Sequence, residues 1–382
     1  MTRSAILTLR LGRFRSYDAA AIETGGTSVA LHGPNGAGKT NILEAVSMLS
    51  PGRGLRRAGA DELAHRGGPG WRIRAEVETP GGEVEIVTGV EDLQDTRRTV
   101  AIDGKPAPQT RLAELFGMIW LTPAMDRLWI EGATERRQFL DRLTMGFTPS
   151  HAEAASGYEK AMRARNRLLR EPPWDAAWLD GIEAQMARHG ARIARARADA
   201  LTRLIAAQDR AQTLFPRAEL SILGAMETRF HQALATAGDT DTLEAEEAAE
   251  LARRLAAGRT RDAAAGRTLD GPHRSDLEAV YASKAMPARA CSTGEQKALL
   301  ISLVLGHARA IAETTGAAPI LLLDEVAAHL DEGRRRALYA EIRALGAQVW
   351  MTGTGPELFD GLEGARQFAV SETDGISRLA AA

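Results

Sequence analysis

The sequence predicts an α/β protein, a mixed sheet with an antiparallel subdomain that carries an inserted helical domain. Three observations predict it. Near the N-terminus an apolar strand runs into a glycine-rich loop, Gly33-Pro34-Asn35-Gly36-Ala37-Gly38-Lys39-Thr40. Near the C-terminus the apolar run Ile320-Leu321-Leu322-Leu323 ends in two acids, Asp324 and Glu325, and its lack of alternation marks a strand buried on both faces. Between them, from about Thr134 to Leu214, lie long Ala-, Leu- and Arg-rich stretches with helical spacing.

Taken in order, Ala5 to Leu11 alternates apolar residues as a half-buried strand does, and Ser28-Val29-Ala30-Leu31 leads straight into the glycine-rich loop. A helix follows from about Lys39 to Leu49. Between Trp71 and Ile102, the segments WRIRAEVET, GEVEIVTGV and RRTVAID read as short antiparallel strands separated by Pro80-Gly81-Gly82 and closed by Asp103-Gly104. The helical stretch is interrupted at Pro149 and at Pro172-Pro173. Strand character returns at Leu220 to Leu223 and Leu277 to Tyr281, and a helix from Thr293 to Thr314 precedes the Ile320 strand. The expected organisation is a sheet-bearing domain from 1–115 and 268–382, interrupted by a mainly helical domain over 116–267. There are no internal repeats.

Composition excludes several classes. The formal net charge is −2 with 26% charged residues, so a polyanion-binding surface has to be local. The single cysteine, Cys291, rules out an internal disulfide framework and any multi-cysteine zinc site, as suits a reducing cytosol. The eight histidines form no spaced metal pair. No stretch approaches the ~18 apolar residues of a membrane span, and no apolar leader precedes a small-residue cleavage site. A cytoplasmic protein without a membrane partner is expected. Six acids between Asp239 and Glu250 read as a solvated helix face.

The loop from Gly33 to Thr40 matches G-x-x-x-x-G-K-[ST] and lies after a strand and before a helix, as the P-loop requires. Glycines let backbone N–H groups approach phosphate oxygens, and the helix N-terminus adds its positive end. Lys39 is placed for the β- and γ-phosphates of ATP, and Thr40 for Mg²⁺. Asp324 at the end of a buried strand would complete the Mg²⁺ shell, while Glu325 would orient and polarise an attacking water.

Ser292-Thr293-Gly294-Glu295 opens an apolar helix ahead of that strand, as the ABC signature S-x-G-[QE] does. Alone it is an ordinary helix cap. In this order and spacing, Ser292 and Gly294 are placed for the γ-phosphate of a nucleotide held by a second protomer, which makes the site an ATP-dependent homodimer property. Asp331 falls at the D-loop position, with a simple helix cap as the alternative. Where many ABC proteins have a histidine, this chain offers Thr352 or Thr354. The γ-phosphate-sensing glutamine is unplaced between Gln109 and Gln138. The fold class is thus an ABC-type P-loop ATPase head.

About 80 clearly helical residues would span ~120 Å even as one helix, too little for long coiled-coil arms. Four further segments resemble the RecF family: Phe14-Arg15-Ser16-Tyr17, Gly52-Arg53-Gly54-Leu55-Arg56-Arg57, Glu135 to Asp141 (ERRQFLD) and Thr268 to Asp276 (TLDGPHRSD). Ser275 stands where that family usually has aspartate. The resemblance implies an ATP-dependent DNA-binding protein that dimerises on nucleotide, recognises gapped or duplex–single-strand junction DNA, hydrolyses ATP slowly, and works with RecO and RecR to load RecA. From the residues themselves, Arg53, Arg56 and Arg57, and the helical Arg163, Arg165, Arg167, Arg192 and Arg195, are candidates to neutralise DNA phosphates, with a solvated face as the alternative. Two other readings are an ABC-like head of a nuclease, set against by the lack of a further acidic metal-binding domain, and a transport-associated ATPase, set against by the long separation of P-loop and signature.

Overall fold

The computed structural model describes residues 3–65, 68–92, 94 and 97–382. The first elements are β1 (Ala5–Phe14), β2 (Tyr17–Glu23), β3 (Val29–His32), α1 (Lys39–Ser47), α2 (Ala60–Leu63), β4 (Trp71–Thr79), β5 (Gly82–Val90), β6 (Thr99–Ile102), β7 (Lys105–Pro106), α3 (Leu112–Leu115) and β8 (Met118–Leu121). The middle of the chain forms α4 (Ala133–Phe147), α5 (His151–Leu168), α6 (Ala176–Arg210), β9 (Ala218–Leu223), α7 (Ala225–Ala235), α8 (Thr240–Ala257), α9 (Arg259–Ala265), β10 (Asp276–Tyr281) and β11 (Met286–Pro287). The last elements are α10 (Thr293–Thr315), β12 (Ile320–Leu323), α11 (Glu332–Leu345), β13 (Val349–Gly353), β14 (Arg366–Thr373) and β15 (Ile376–Ala381).

These elements form two compact units. The first comprises Met1–Asp126, Ala211–Phe215 and Leu300–Ala382, and the second Arg127–Arg210 and Pro216–Leu299. The division differs from the one expected at 115/116 and 267/268, for reasons of strand pairing. Met118–Leu121 is a strand that pairs in parallel with β12, so it belongs to the first unit; Asp276–Tyr281 pairs with β9, so it belongs to the second. With only four apolar residues, Met-Ile-Trp-Leu, β8 carries too little pattern to separate a buried strand from a helix turn.

The first unit contains a six-stranded sheet in the order β15-β14-β3-β13-β12-β8 and an antiparallel sheet in the order β2-β1-β4-β5-β6-β7. In the former, β12 and β13 are buried at every position, as strands covered on both faces are. In the latter, β4 alternates strictly between buried and exposed residues along Trp71 to Glu76. Phe14 and Trp71 meet edge-on at 5.6 Å between ring centroids inside a core that runs from the antiparallel sheet to α1. The registers pair Leu323 with Met351 and Thr352 with Leu31. Consequently the residues that follow β3 and β12 emerge on either side of the end of β13.

The second unit is built on α6, whose 35 residues span about 52 Å. It packs against α5, α7 and α8 through small residues and Met186, Ile193, Phe230, Leu251 and Leu255. No long coiled coil is present among the described residues, as expected. Two buried arginines knit the unit together. Arg165, fully buried, donates to Glu183, Asp262, Thr268 Oγ1 and the Leu255 carbonyl. Arg197 donates to Asp141, Glu227 and the Pro272 carbonyl. Such pairs do not by themselves raise stability, but deleting one partner strands a buried charge.

Those contacts explain two of the resemblance segments. Arg136 forms a bidentate pair with Asp276 at 2.7 and 2.8 Å, and Arg137 donates to the Ser275 carbonyl at 2.8 Å. Ser275 itself donates to Glu227 at 2.7 Å. ERRQFLD and GPHRSD are therefore two halves of one partly buried polar joint. The expectation that no segment was long and apolar enough to cross a membrane needs one amendment. Helix α10 passes by length and composition, yet 72% of its most apolar stretch is buried inside the protein, as in a core helix.

Candidate nucleotide site

The glycine-rich loop is shaped by backbone conformations that side chains disfavour. Gly33, Gly36 and Gly38 have φ of 150°, 84° and 107°. A Cβ on Gly33 would lie 2.1 Å from the Val370 carbonyl oxygen, and one on Gly38 would lie 2.3 Å from Ser377 Oγ. From behind, Tyr17 donates its hydroxyl to the Gly38 carbonyl, and Ser377 donates to the Ala37 carbonyl at 2.7 Å. Pro34, Asn35 and Gly36 form the exposed rim. Lys39, 4% exposed, turns its ammonium onto the carbonyls of Gly33 and Pro34 at 2.7 and 2.9 Å. Burial pushes its pKa down, against the opposing pull of Glu325 and Asp324.

The end of β12 brings the acids to this loop. Asp324 accepts from Thr40 Oγ1 at 2.9 and 3.1 Å and from Thr352 Oγ1 at 2.7 Å. Thr352 in turn accepts the Glu325 N–H at 2.8 Å. Burial raises the Asp324 pKa; the two hydroxyls and Arg56 oppose that, while Glu325 adds to it. Glu325 has φ 55°, a left-handed conformation that costs a non-glycine residue on the order of 1 kcal/mol, and the hydrogen bond to Thr352 holds it there. Of the two threonines left open by the sequence, Thr352 is fully buried on Asp324 and Thr354 is exposed.

Hard oxygen donors suit Mg²⁺. The Thr40 hydroxyl and Asp324 carboxylate converge, and the carboxylate is a buried charge whose local partners are mostly neutral hydroxyls, so these residues fit the ion. Among the described residues no cluster of three or more His, Cys, Asp or Glu side chains could hold a metal, so the remaining ligands would have to come with the nucleotide.

Behind the loop, Glu44 of α1 is fully buried and takes a bidentate pair from Arg15 at 2.8 Å on both oxygens. Arg56 donates to Asn41 Oδ1 at 2.8 Å and reaches Glu44 at 3.4 Å. The basic segment is pinned back by Leu55 N–H on Ser47 Oγ and by Arg98 on the Ser50 and Gly52 carbonyls. Arg53, Arg56 and Arg57 are all exposed, and Arg56 also reaches back to the P-loop helix through Asn41 and Glu44. Arg15, Ser16 and Tyr17 of that segment thus support the loop and its helix, since Ser16 Oγ also accepts from Asn41 at 2.7 Å. The sequence singled out that segment without its role; a buried Glu inside an apolar helix was the available signal.

In the second unit, Ser292 is exposed at the start of α10, and its N–H and Oγ both donate to Glu295 at 2.8 Å. This is a capping box. Lys284 pairs with the other Glu295 oxygen, and that contact, then the Ser292 hydrogen bonds, lowers the Glu295 pKa to about 2. A Cβ on Gly294 would meet nothing within 4 Å. Asp331 caps α11 by accepting from Arg334 N–H at 2.8 Å. Gln109 donates to the Arg98 carbonyl, and Gln138 lies on α4.

A P-loop, an acid-ended neighbouring strand bridged by threonine, and a flanking antiparallel sheet define an ABC-type P-loop ATPase head. The RecF/RecN/SMC N-terminal domain family matches residues 5–377. The chain is 49% identical over 379 residues to the DNA replication and repair protein RecF of Rhizobium rhizogenes (strain K84), covering 98% of each. It is 48% identical over 377 residues to the protein of that name from Caulobacter vibrioides, covering 95% of each. Its fold superposes on the recombination mediator protein RecF–ATPrS of the RecFOR pathway with a TM-score of 0.80 at 23% identity, over 100% of this chain and 99% of that one. A Pyrococcus furiosus Smc head with an extended coiled coil gives 0.51 at 18% identity, over 99% of this chain and 96% of that one. The chain belongs to the RecF family.

Proposed function

We propose that this protein is an ATP-switched DNA-binding protein of recombinational repair and replication maintenance, acting in the cytoplasm. The observation that carries the nucleotide part is the convergence of Lys39, Thr40, Asp324 and Thr352 around one P-loop. Gly33 to Thr40 cradle the ATP phosphates, with Lys39 against the β- and γ-phosphates. Mg²⁺ held by Thr40 and Asp324 would offset phosphate charge. Glu325 orients the attacking water, and hydrolysis is slow, serving as a switch.

Dimerisation follows from the exposed signature. Ser292 and Gly294 of one protomer meet the γ-phosphate held by a second, with Asp331 at the same interface. The DNA part is supported by the names carried by relatives of near-identical length, and it extends to gapped or duplex–single-strand junction DNA, RecO, RecR and the loading of RecA.

Light scattering tests the switch. ATP should double the mass of the wild-type protein, and Ser292→Arg should bind ATP as a monomer. Mixing Ser292→Arg with Lys39→Ala should restore weak dimers, because one interface then has an intact P-loop facing an intact signature. ATP-dependent dimers of Ser292→Arg as abundant as wild type would sink the sandwiched-nucleotide reading. Binding to gapped, single-stranded and duplex DNA with and without ATP tests the rest, and equal weak binding to all of them in both states would overturn it.

A further inference from the structure

Helices α5 and α6 pack side by side, with the His189 ring against Gly157, where an added Cβ would come within 2.5 Å of Nε2. Their solvent side carries an uneven distribution of charge. On α5 and its C-terminal extension, Lys160, Arg163, Arg167 and Arg170 are exposed at spacings of three, four and three residues, and on α6 Arg188 and Arg192 are exposed one turn apart. Arg163 pairs loosely with Glu159 at 3.7 Å, both side chains well exposed, a contact worth little. The other five form no ion pair among the described residues. Several other cations of the same unit are paired: Arg165 is buried in its carboxylate cluster, Arg195 is held by Asp241 and Glu244, and Arg229, Arg253 and Arg254 pair with the α8 acids, whereas Arg267, Arg274 and Arg289 are exposed on other segments. Arg165 and Arg195 therefore leave the set of candidate phosphate contacts. The exposed acids on α5, α6 and their connection are Glu153, Glu159, Glu171 and Asp175; Asp180 is tied to Arg259.

We propose that this α5–α6 face is a contact surface for the phosphodiester backbone of duplex DNA. The inference rests on the DNA-binding reading above and gives it a location in the helical unit, on residues other than the basic segment 52–57 named from sequence. Lys160 to Arg170 extend about 15 Å along the helix, and a DNA strand carries a phosphate about every 3.4 Å of axis, so four cations face about four phosphates of one strand. Arg188 and Arg192 widen the strip toward α6. The six side chains are long, exposed and unspecific, which fits sequence-independent contact in which released counterions supply the affinity. The local field is already felt inside the protein, where Arg192 and Arg188 add to burial in lowering the His189 pKa.

The test is the salt dependence of binding, read by fluorescence anisotropy with ATP present, on a duplex and on a single strand of equal length. Arg163→Gln/Arg167→Gln/Arg170→Gln should flatten the slope of log K against log salt on duplex by about two to three, and Arg188→Gln/Arg192→Gln by about one to two. Arg253→Gln, a control on α8, should leave it unchanged. ATP binding should persist in all three, which verifies folding. Loss confined to the single strand would overturn the duplex assignment. Wild-type slopes in both multiple variants would overturn the surface while leaving the DNA-binding reading intact; wild-type protein that binds neither DNA would remove that reading itself.

Discussion

Thr352 donates its hydroxyl to Asp324 at 2.7 Å and accepts the backbone N–H of Glu325 at 2.8 Å, so one side chain positions both acids of the β12 terminus. Thr352→Val keeps the shape and removes both bonds. Leaving a buried N–H and a buried carboxylate one partner short costs about 1–3 kcal/mol each at most. The expected outcome is a folded, less stable protein whose ATPase rate falls by tenfold or more, with Thr352→Ser near wild type. A Thr352→Val protein with wild-type turnover would show that the bridge has no part in hydrolysis.

Lys39→Ala removes an ammonium from a loop otherwise lined by backbone. A charged hydrogen bond is worth about 1.5–3 kcal/mol, so ATP affinity should drop by about 10- to 100-fold while the melting temperature without nucleotide changes little. Equilibrium dialysis or calorimetry measures the first and a thermal scan the second. Unaltered affinity in a folded variant would remove the P-loop assignment.

Glu325→Gln preserves the side-chain shape and loses its charge. ATP binding should remain, turnover should fall by about two orders of magnitude or more, and dimers should accumulate with ATP. Turnover at the wild-type rate would shift the water-orienting role to another group.

Arg15 and Glu44 test the support behind the loop. Arg15→Ala should destabilise the protein by about 3–5 kcal/mol, because Glu44 is left as a buried charge with only the more distant Arg56. Arg15→Lys should recover only part, since one ammonium cannot match a two-pronged pair. Denaturant unfolding of Arg15→Ala against Arg15→Ala/Glu44→Gln gives the check: the double variant should be the more stable of the two.

His273 sets a pH dependence. Its Nε2 contacts the Thr268 carbonyl, which can only accept, so Nε2 bears the proton and Nδ1 accepts from the Tyr158 hydroxyl at 2.7 Å. Burial first, then Arg274 and Arg137, lower its pKa below the ordinary 6.5. The unfolded chain therefore binds this proton more readily than the folded one. Stability from this group is complete above pH 6.5 and declines as pH falls from there toward the folded value. His273→Gln should flatten the stability profile over that interval, and an unchanged profile would exclude His273 as its source.

Legibility in the sequence followed the range of the interactions. Strands β3 and β12, helix α10 and the placement of Lys39, Thr40 and Asp324 at the ends of those strands were readable because each is encoded by contiguous residues with fixed geometry. Strand β8 was not, since four apolar residues become a strand only through β12, which lies about 200 positions later in the chain. The identity of the threonine on Asp324 was open because Thr352 and Thr354, two residues apart, would share one face of a continuing strand, and only the end of β13 at Gly353 separates them. Arg56 looked like its neighbours Arg53 and Arg57 in one dimension. Its contacts with Asn41 and Glu44 come from residues 12 to 15 positions earlier in the chain.

The joint between Ser275 and Glu227 bears on how such a protein can vary over generations. Arg197 offers one positive charge to Asp141 and Glu227 together, and Ser275 completes the cluster with a neutral hydroxyl. An aspartate at 275 would add a third carboxylate to this cluster, where Arg197 is already shared between two and Arg137 is held on the carbonyl of residue 275. A change from serine to aspartate therefore costs more while Glu227 keeps its charge than after Glu227 has turned to glutamine. The two positions are therefore coupled, and the order in which they change sets the stability of the intermediate.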